Sequence, residues 1–373
     1  MRENSDFSDG TGRSADETVS GEERIRFIRN FNDIFLSVGL AMLIVGIGIV
    51  AALVGAPIVG GAFDLSDGFD GQILDAGRNA AWMTAAIAGG CAAIVWALGE
   101  VFARTRRLFL PAIVILLGFT AYANFATVAA YAGFINPENL SDVDETSMQG
   151  RMLFLVSAAA SAFWTLVYYA RTKLPFAMGY FGVQTVAFLI ATVFVFVPDL
   201  ITSNVSGIAL LSGLVLFLSG VAFDARDPSR QTRYSDNAFW LHLFAAPLIF
   251  FSLRGMLVSG GEAAASVATL ALVAFLGLLS ILINRRALLV SGLISAAVAI
   301  GVLVREAGFS GAWTAGLTLL LLGGATVLLG GGWNAVRRVL VAPFPKTGWI
   351  ARVIPPEPRA GEAAPDAAAP SAA

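Results

Sequence analysis

Five polar side chains fall inside or at the edge of long apolar runs: Glu100, Asn124, Gln184, His242 and Arg254. Hydrocarbon makes such groups expensive to bury, so each is a candidate functional residue whose partner has to be named. His242 is the only histidine. An imidazole titrates near neutral pH, which suits a proton relay as well as a structural hydrogen bond between helices. It follows Asp236 by six residues, about 9 Å at the rise of an α-helix. Arg254 lies about 27 Å along the same helix from Asp236. It can snorkel to the surface or face inward and offer an anion a fixed positive charge, with Glu262 or Asp199 as its counter-charge. Glu100 precedes Arg104 by one helical turn. That pair reads either as an ion pair anchoring a helix end or as a proton or cation site at the mouth of the bundle. Asn124 and Gln184 are neutral amides near the centres of their runs, with Tyr122, Tyr131 and Tyr180 close by in sequence. Amides at that depth bond helix to helix, and a substrate pocket would use them too.

Pro247 draws several of these residues onto one element. A proline inside a span can unwind it and expose carbonyls to an ion or substrate. Pro247 falls five residues after His242 and seven before Arg254, within FAAPLIFF. One helix therefore carries the only histidine, a kink site and a charge, which makes it the first choice for a functional element. No HExxH, GxSxG, P-loop or dinucleotide fingerprint occurs, so no enzyme activity and no catalytic residue is expected. One cysteine, Cys91, and one histidine are too few soft ligands for a zinc, haem or iron–sulfur site within one chain, and no metal or cofactor is expected. The basic residues are dispersed, so no nucleic-acid partner is expected either.

These side chains need an apolar scaffold to position them, and the composition supplies it. Of 373 residues, 57% are hydrophobic and 13% charged, where soluble domains carry roughly 25% charged residues. A mean hydropathy of +0.76 leaves too little polar surface to cover a water-soluble protein of this size. In lipid the backbone must satisfy its own hydrogen bonds, so apolar runs of about 20 residues read as spanning helices. Ten runs are predicted, at 34–57, 80–103, 108–134, 152–170, 175–198, 205–223, 237–258, 264–283, 287–304 and 312–331. Recurrent alternating strands are missing, which argues against a barrel. The fold expected is an all-α polytopic transmembrane helix bundle of about ten spans.

Loop charges supply the orientation. With the amino and carboxyl termini both cytoplasmic, only Arg78, Arg151, Arg254 and Arg305 of the 24 Lys and Arg residues fall outside, and every inner connection is basic. The long outer loops carry Asp64, Asp67, Asp70 and Asp75, then Glu138, Asp142, Asp144 and Glu145. Without EF-hand spacing these read as solvated acidic loops. Residues 1–20 are expected to be a disordered cytoplasmic tail with no cleavable signal. Residues 21–33 place Arg24, Arg26 and Arg29 beside Ile25, Phe27 and Ile28, which suits an interfacial amphipathic segment. The bundle occupies 34–331, a second interfacial amphipathic segment 332–354, and a disordered Ala/Pro-rich tail 355–373. Arg outnumbers Lys 22 to 2, which suggests a GC-rich bacterial genome and hence the bacterial cytoplasmic (inner) membrane.

LGEVFARTRRLFLPAIVIL from Leu98 and SDNAFWLHLFAAPLIF from Ser235 resemble stretches of uncharacterised bacterial polytopic inner-membrane proteins of the domain-of-unknown-function type. The resemblance covers a small part of the chain and implies location and architecture, not chemistry. FNDIFLSVGL at the first span and SDNAFWLHLF at the seventh also form a faint parallel repeat. Two functions fit this architecture. One is a secondary transporter or flippase-like carrier of a small-molecule or lipid substrate, with contacts from His242, Arg254, Asn124 and Gln184. The other is a non-transporting scaffold, sensor or assembly partner whose amphipathic ends meet the lipid bilayer or a protein partner. A cavity reaching the midplane discriminates between them.

Overall fold

The computed structural model describes residues 31–61, 71–135, 147–227, 232–257, 261–285, 287–345 and 348–354. Its regular structure there is entirely helical. Helix α1 spans Phe31–Gly61, and α2 spans Gly71–Gly99 before widening into a π-helical turn at Glu100–Thr105. Helices α3 (Phe109–Phe134), α4 (Met148–Thr172) and α5 (Pro175–Phe196) follow, then the short α6 (Pro198–Ser203). The remainder comprises α7 (Val205–Asp224), α8 (Arg233–Leu257), α9 (Glu262–Ile283), α10 (Ala287–Glu306), α11 (Ala312–Val341) and the short α12 (Gly348–Val353).

Among the described residues, nine helices are long and apolar enough to cross a membrane: α1 to α5, α7, α8, α9 and α11. The remaining predicted run, 287–304, is helical as well and forms the 20-residue α10. This is the build of a multi-pass membrane protein. The segment 332–354 does not separate cleanly from the bundle, because α11 continues to Val341. Trp333 and Arg337 are buried there, and the Trp333 indole N–H donates to Asn284 Oδ1 at 3.0 Å. The expected tails at 1–20 and 355–373, residues 21–30 of the first amphipathic segment, and the acidic loop residues Asp64 to Asp70 and Glu138 to Glu145 lie outside the described residues.

Local signals set the helix ends that matter for the site. Ser147 caps α4, its hydroxyl accepting from the Gly150 N–H at 3.1 Å. Lys173 closes α4 in the left-handed region at φ 55°, and Pro175 opens α5 two residues later, so two helices turn back on each other through a two-residue link. Asn284 closes α9 in the same way at φ 54°.

Packing among the described residues forms two main apolar clusters, with a small third at Ala246 and Ile283. The first joins α1 to α5 around Val95, Ile115, Leu116 and Ala177. The second joins α7, α8 and α9 around Leu241, Ala245, Phe250 and Leu276. Helix α8 stitches them together, with Trp240 and Phe244 at ring-centroid distances of 4.8 and 5.8 Å from Phe176 of α5. Gly213 and Gly220 of α7 meet Ile249 and His242 of the antiparallel α8, and both pairs are spaced seven residues apart, two helical turns. Outward-facing Val45, Leu53, Leu319 and Leu328 suit a solvent of lipid tails, in which exposure of a leucine carries no penalty.

Candidate functional site

Three side chains at the α8 N-terminal end of the bundle form a buried polar knot. Asp224 is the last residue of α7, Arg285 follows the Asn284 turn after α9, and His242 lies two turns into α8. They are 8%, 1% and 0% exposed. The left-handed turn at Asn284, with the Arg285 N–H donating to the Ser280 carbonyl at 2.8 Å, directs Arg285 back beneath α7. Its Nε donates to Asp224 Oδ2 at 3.1 Å and its Nη2 to Asp224 Oδ1. The same Nη2 reaches the Ser235 carbonyl and hydroxyl oxygens, each at 3.1 Å. His242 Nε2 lies 3.1 Å from Asp224 Oδ2. A carboxylate facing an arginine can only accept, so Nε2 carries the hydrogen. Such a set tolerates burial because the two-pronged Arg–carboxylate geometry and its extra hydrogen bonds offset the loss of hydration.

Above this knot α8 lines a cavity of about 660 Å³. Its lining runs from Leu243 and Pro247 through Phe251 to Arg254, with Thr269 of α9 and Ser295 of α10 opposite. On α8 that lining covers about 16 Å, from the helix midpoint to its C-terminal end. The helix stays continuous through Pro247. A proline nonetheless has no N–H to give the carbonyl four residues back, and that residue, Leu243, lines the same cavity. Toward the end of α8, Arg254 Nε lies 3.4 Å from Thr269 Oγ1. Glu262 also lines the cavity, and its carboxylate is 3.7 Å from Arg305 Nη2.

The five polar residues singled out by sequence are therefore distributed. Arg254 and Pro247 share the cavity, while His242, one residue before the lining residue Leu243, is buried within the knot. Asn124 bonds α3 to α4, its Nδ2 donating to Ser157 Oγ at 3.1 Å and to Ser161 Oγ at 2.7 Å. Gln184 is half-buried on α5 and is not among the residues lining this cavity. Glu100 accepts from Arg104 at 3.1 Å, one turn away, and also from Arg171 of α4 at 2.7 Å. Among the described residues, no three His, Cys, Asp or Glu side chains gather in a metal-binding group.

Asp224 and Arg285 escaped the sequence reading, Arg285 because it counted as one more loop charge. A signal was present in VAFD. An acid in the last turn of a helix opposes the macrodipole, so Asp224 requires a cation from elsewhere. Comparison with known proteins returns no match to any family model, curated protein or solved structure.

Proposed function

We propose that the protein is a membrane carrier, a secondary transporter or flippase-like protein that takes a small amphiphilic anion into the cavity beside α8. The observation that carries this reading is the extent of that cavity along α8, from Arg254 near the helix end to Leu243 near its midpoint. Arg254 supplies the fixed positive charge, Thr269 and Ser295 supply hydroxyls, and Phe251 and Pro247 an apolar wall, the mixture expected of a ligand site. In this reading the Arg254 end faces outward and the Asp224–Arg285 knot lies on the cytoplasmic side of a bacterial inner membrane, an orientation that the asymmetry of loop charges supports. The knot then acts as the closed inner end of an outward-facing cavity.

The test uses the lone thiol, Cys91, which is buried. On a Cys91→Ser background, single cysteines at Phe251, Ser266 and Ser295 are treated with a membrane-impermeant thiol reagent, with Leu116→Cys as a buried control. Only water-exposed thiols ionise and react readily. Labelling of the cavity positions with sparing of position 116 supports a carrier. Protection of all of them in folded protein replaces it with the second reading, a scaffold, sensor or assembly partner, which the outward apolar faces of α1 and α11 favour.

A further inference from the structure

A second hollow, about 680 Å³ in volume, lies at the other end of α8. Six cations from three separate stretches line it: Arg104, Arg106 and Arg107 after α2, Arg171 and Lys173 at the end of α4, and Arg233 at the start of α8. Asp33 and Asp236 share the rim, and Glu100 holds Arg104 and Arg171 in place. Positive charge still outnumbers negative two to one. Charges that serve only to orient a chain in the membrane need to lie on one side. They have no reason to converge on one hollow.

The backbone supports a more specific role. Arg107 and Lys173 adopt φ of 53° and 55°, a left-handed conformation that costs an ordinary side chain roughly 1–2 kcal/mol and that glycine or asparagine adopts more easily. Cations stand at both positions instead. The π-helical turn Glu100–Thr105 immediately precedes Arg106 and Arg107, and such turns occur frequently at functional sites. The hollow also receives the N-termini of α3 and α5, where Leu108 and Leu174 are the caps and neither supplies a side-chain capping bond. Helix N-termini present backbone N–H groups and a partial positive charge, which suits phosphate. Arginine forks match phosphate oxygens in pairs.

We propose that this hollow binds a phosphate-bearing anion, presented either as the headgroup of an acidic phospholipid or as a free phosphoester. The site is separate from the cavity at Arg254 and stands whether or not the protein is a carrier.

The test titrates the detergent-purified full chain with dioctanoyl phosphatidylglycerol, glycerol 3-phosphate and dioctanoyl phosphatidylcholine, and reads affinity from the ligand-dependent rise in unfolding temperature. The variant R107G/K173N removes two cations while keeping residues suited to the left-handed turns. R226Q/R338Q removes two arginines outside the hollow. Phosphatidylglycerol is expected to bind saturably to the wild type and to R226Q/R338Q. In R107G/K173N its affinity should fall about tenfold, the effect of losing a charge-assisted hydrogen bond. Arg233→Gln, at an exposed position, should weaken binding about threefold through a lost surface ion pair and guards against misfolding of the double variant. Binding of phosphatidylglycerol alone identifies a lipid headgroup, and equal binding of glycerol 3-phosphate identifies a free phosphoester. Equal weakening in both double variants, a comparable response to phosphatidylcholine, or no saturable binding of either anion overturns the proposal.

Discussion

Asp224 faces Arg285 and His242 at once in a setting where water cannot replace either. Truncating one member of such a set leaves a charge stranded, whereas replacing the pair by apolar groups of similar volume does not. Asp224→Ala should therefore destabilise the protein by about 3–5 kcal/mol. Asp224→Leu combined with Arg285→Met should recover most of that loss. Thermal unfolding of Asp224→Leu, Arg285→Met and the double variant in detergent measures the coupling. Additive losses would show that the contacts do not act as a unit. The individual polar residues were legible in the sequence because the cost of burial depends on residue type and depth. Their grouping was not, since it depends on which helix ends meet, and Asp224 and Arg285 are 61 residues apart.

Helices were the most legible element, because an apolar run of fixed length has one solution in hydrocarbon. Nine of the ten predicted runs fall on helices of membrane length and apolarity, and the remaining one on α10. Which faces touch was far less legible. Glycines in the first and last spans read equally well as close-packing sites, yet while Gly48 packs against the Tyr122 side chain, Gly39, Gly46, Gly323, Gly324 and Gly330 have open space where a side chain would project. Another close contact is on α7, where a Cβ on Gly220 would lie 2.9 Å from His242 Cε1 and 3.0 Å from both ring nitrogens. Gly220→Ala should thus cost about 1–3 kcal/mol by forcing α7 and α8 apart. Gly39→Ala should be neutral or stabilise by about 0.5–1 kcal/mol. Unfolding temperatures compare the two directly, and equal effects would mean that the α7–α8 contact is not tight.

At the scale of the whole molecule, the expected outcome of ten crossings is that both chain ends lie on the same side. With that side cytoplasmic, as the loop charges lead one to expect, a fluorescent-protein fusion at the carboxyl terminus should fluoresce and an alkaline phosphatase fusion there should be inactive; the reverse pattern would mean an odd number of crossings or the opposite orientation. Helix α8 carries all three features of interest: Arg233 in the cationic hollow, His242 in the knot, and Leu243 to Arg254 along the cavity. The knot also fixes an order of events during synthesis. Asp224 leaves the ribosome 18 residues before His242 and 61 before Arg285, an interval of roughly 3–12 s at about 5–20 residues per second. Through that interval α7 must wait with its terminal carboxylate at the membrane surface, joined first by the imidazole. The guanidinium arrives last, so the contact closes only after α8 and α9 have been made, and a pause in translation between them would lengthen the time for which that acid stands exposed.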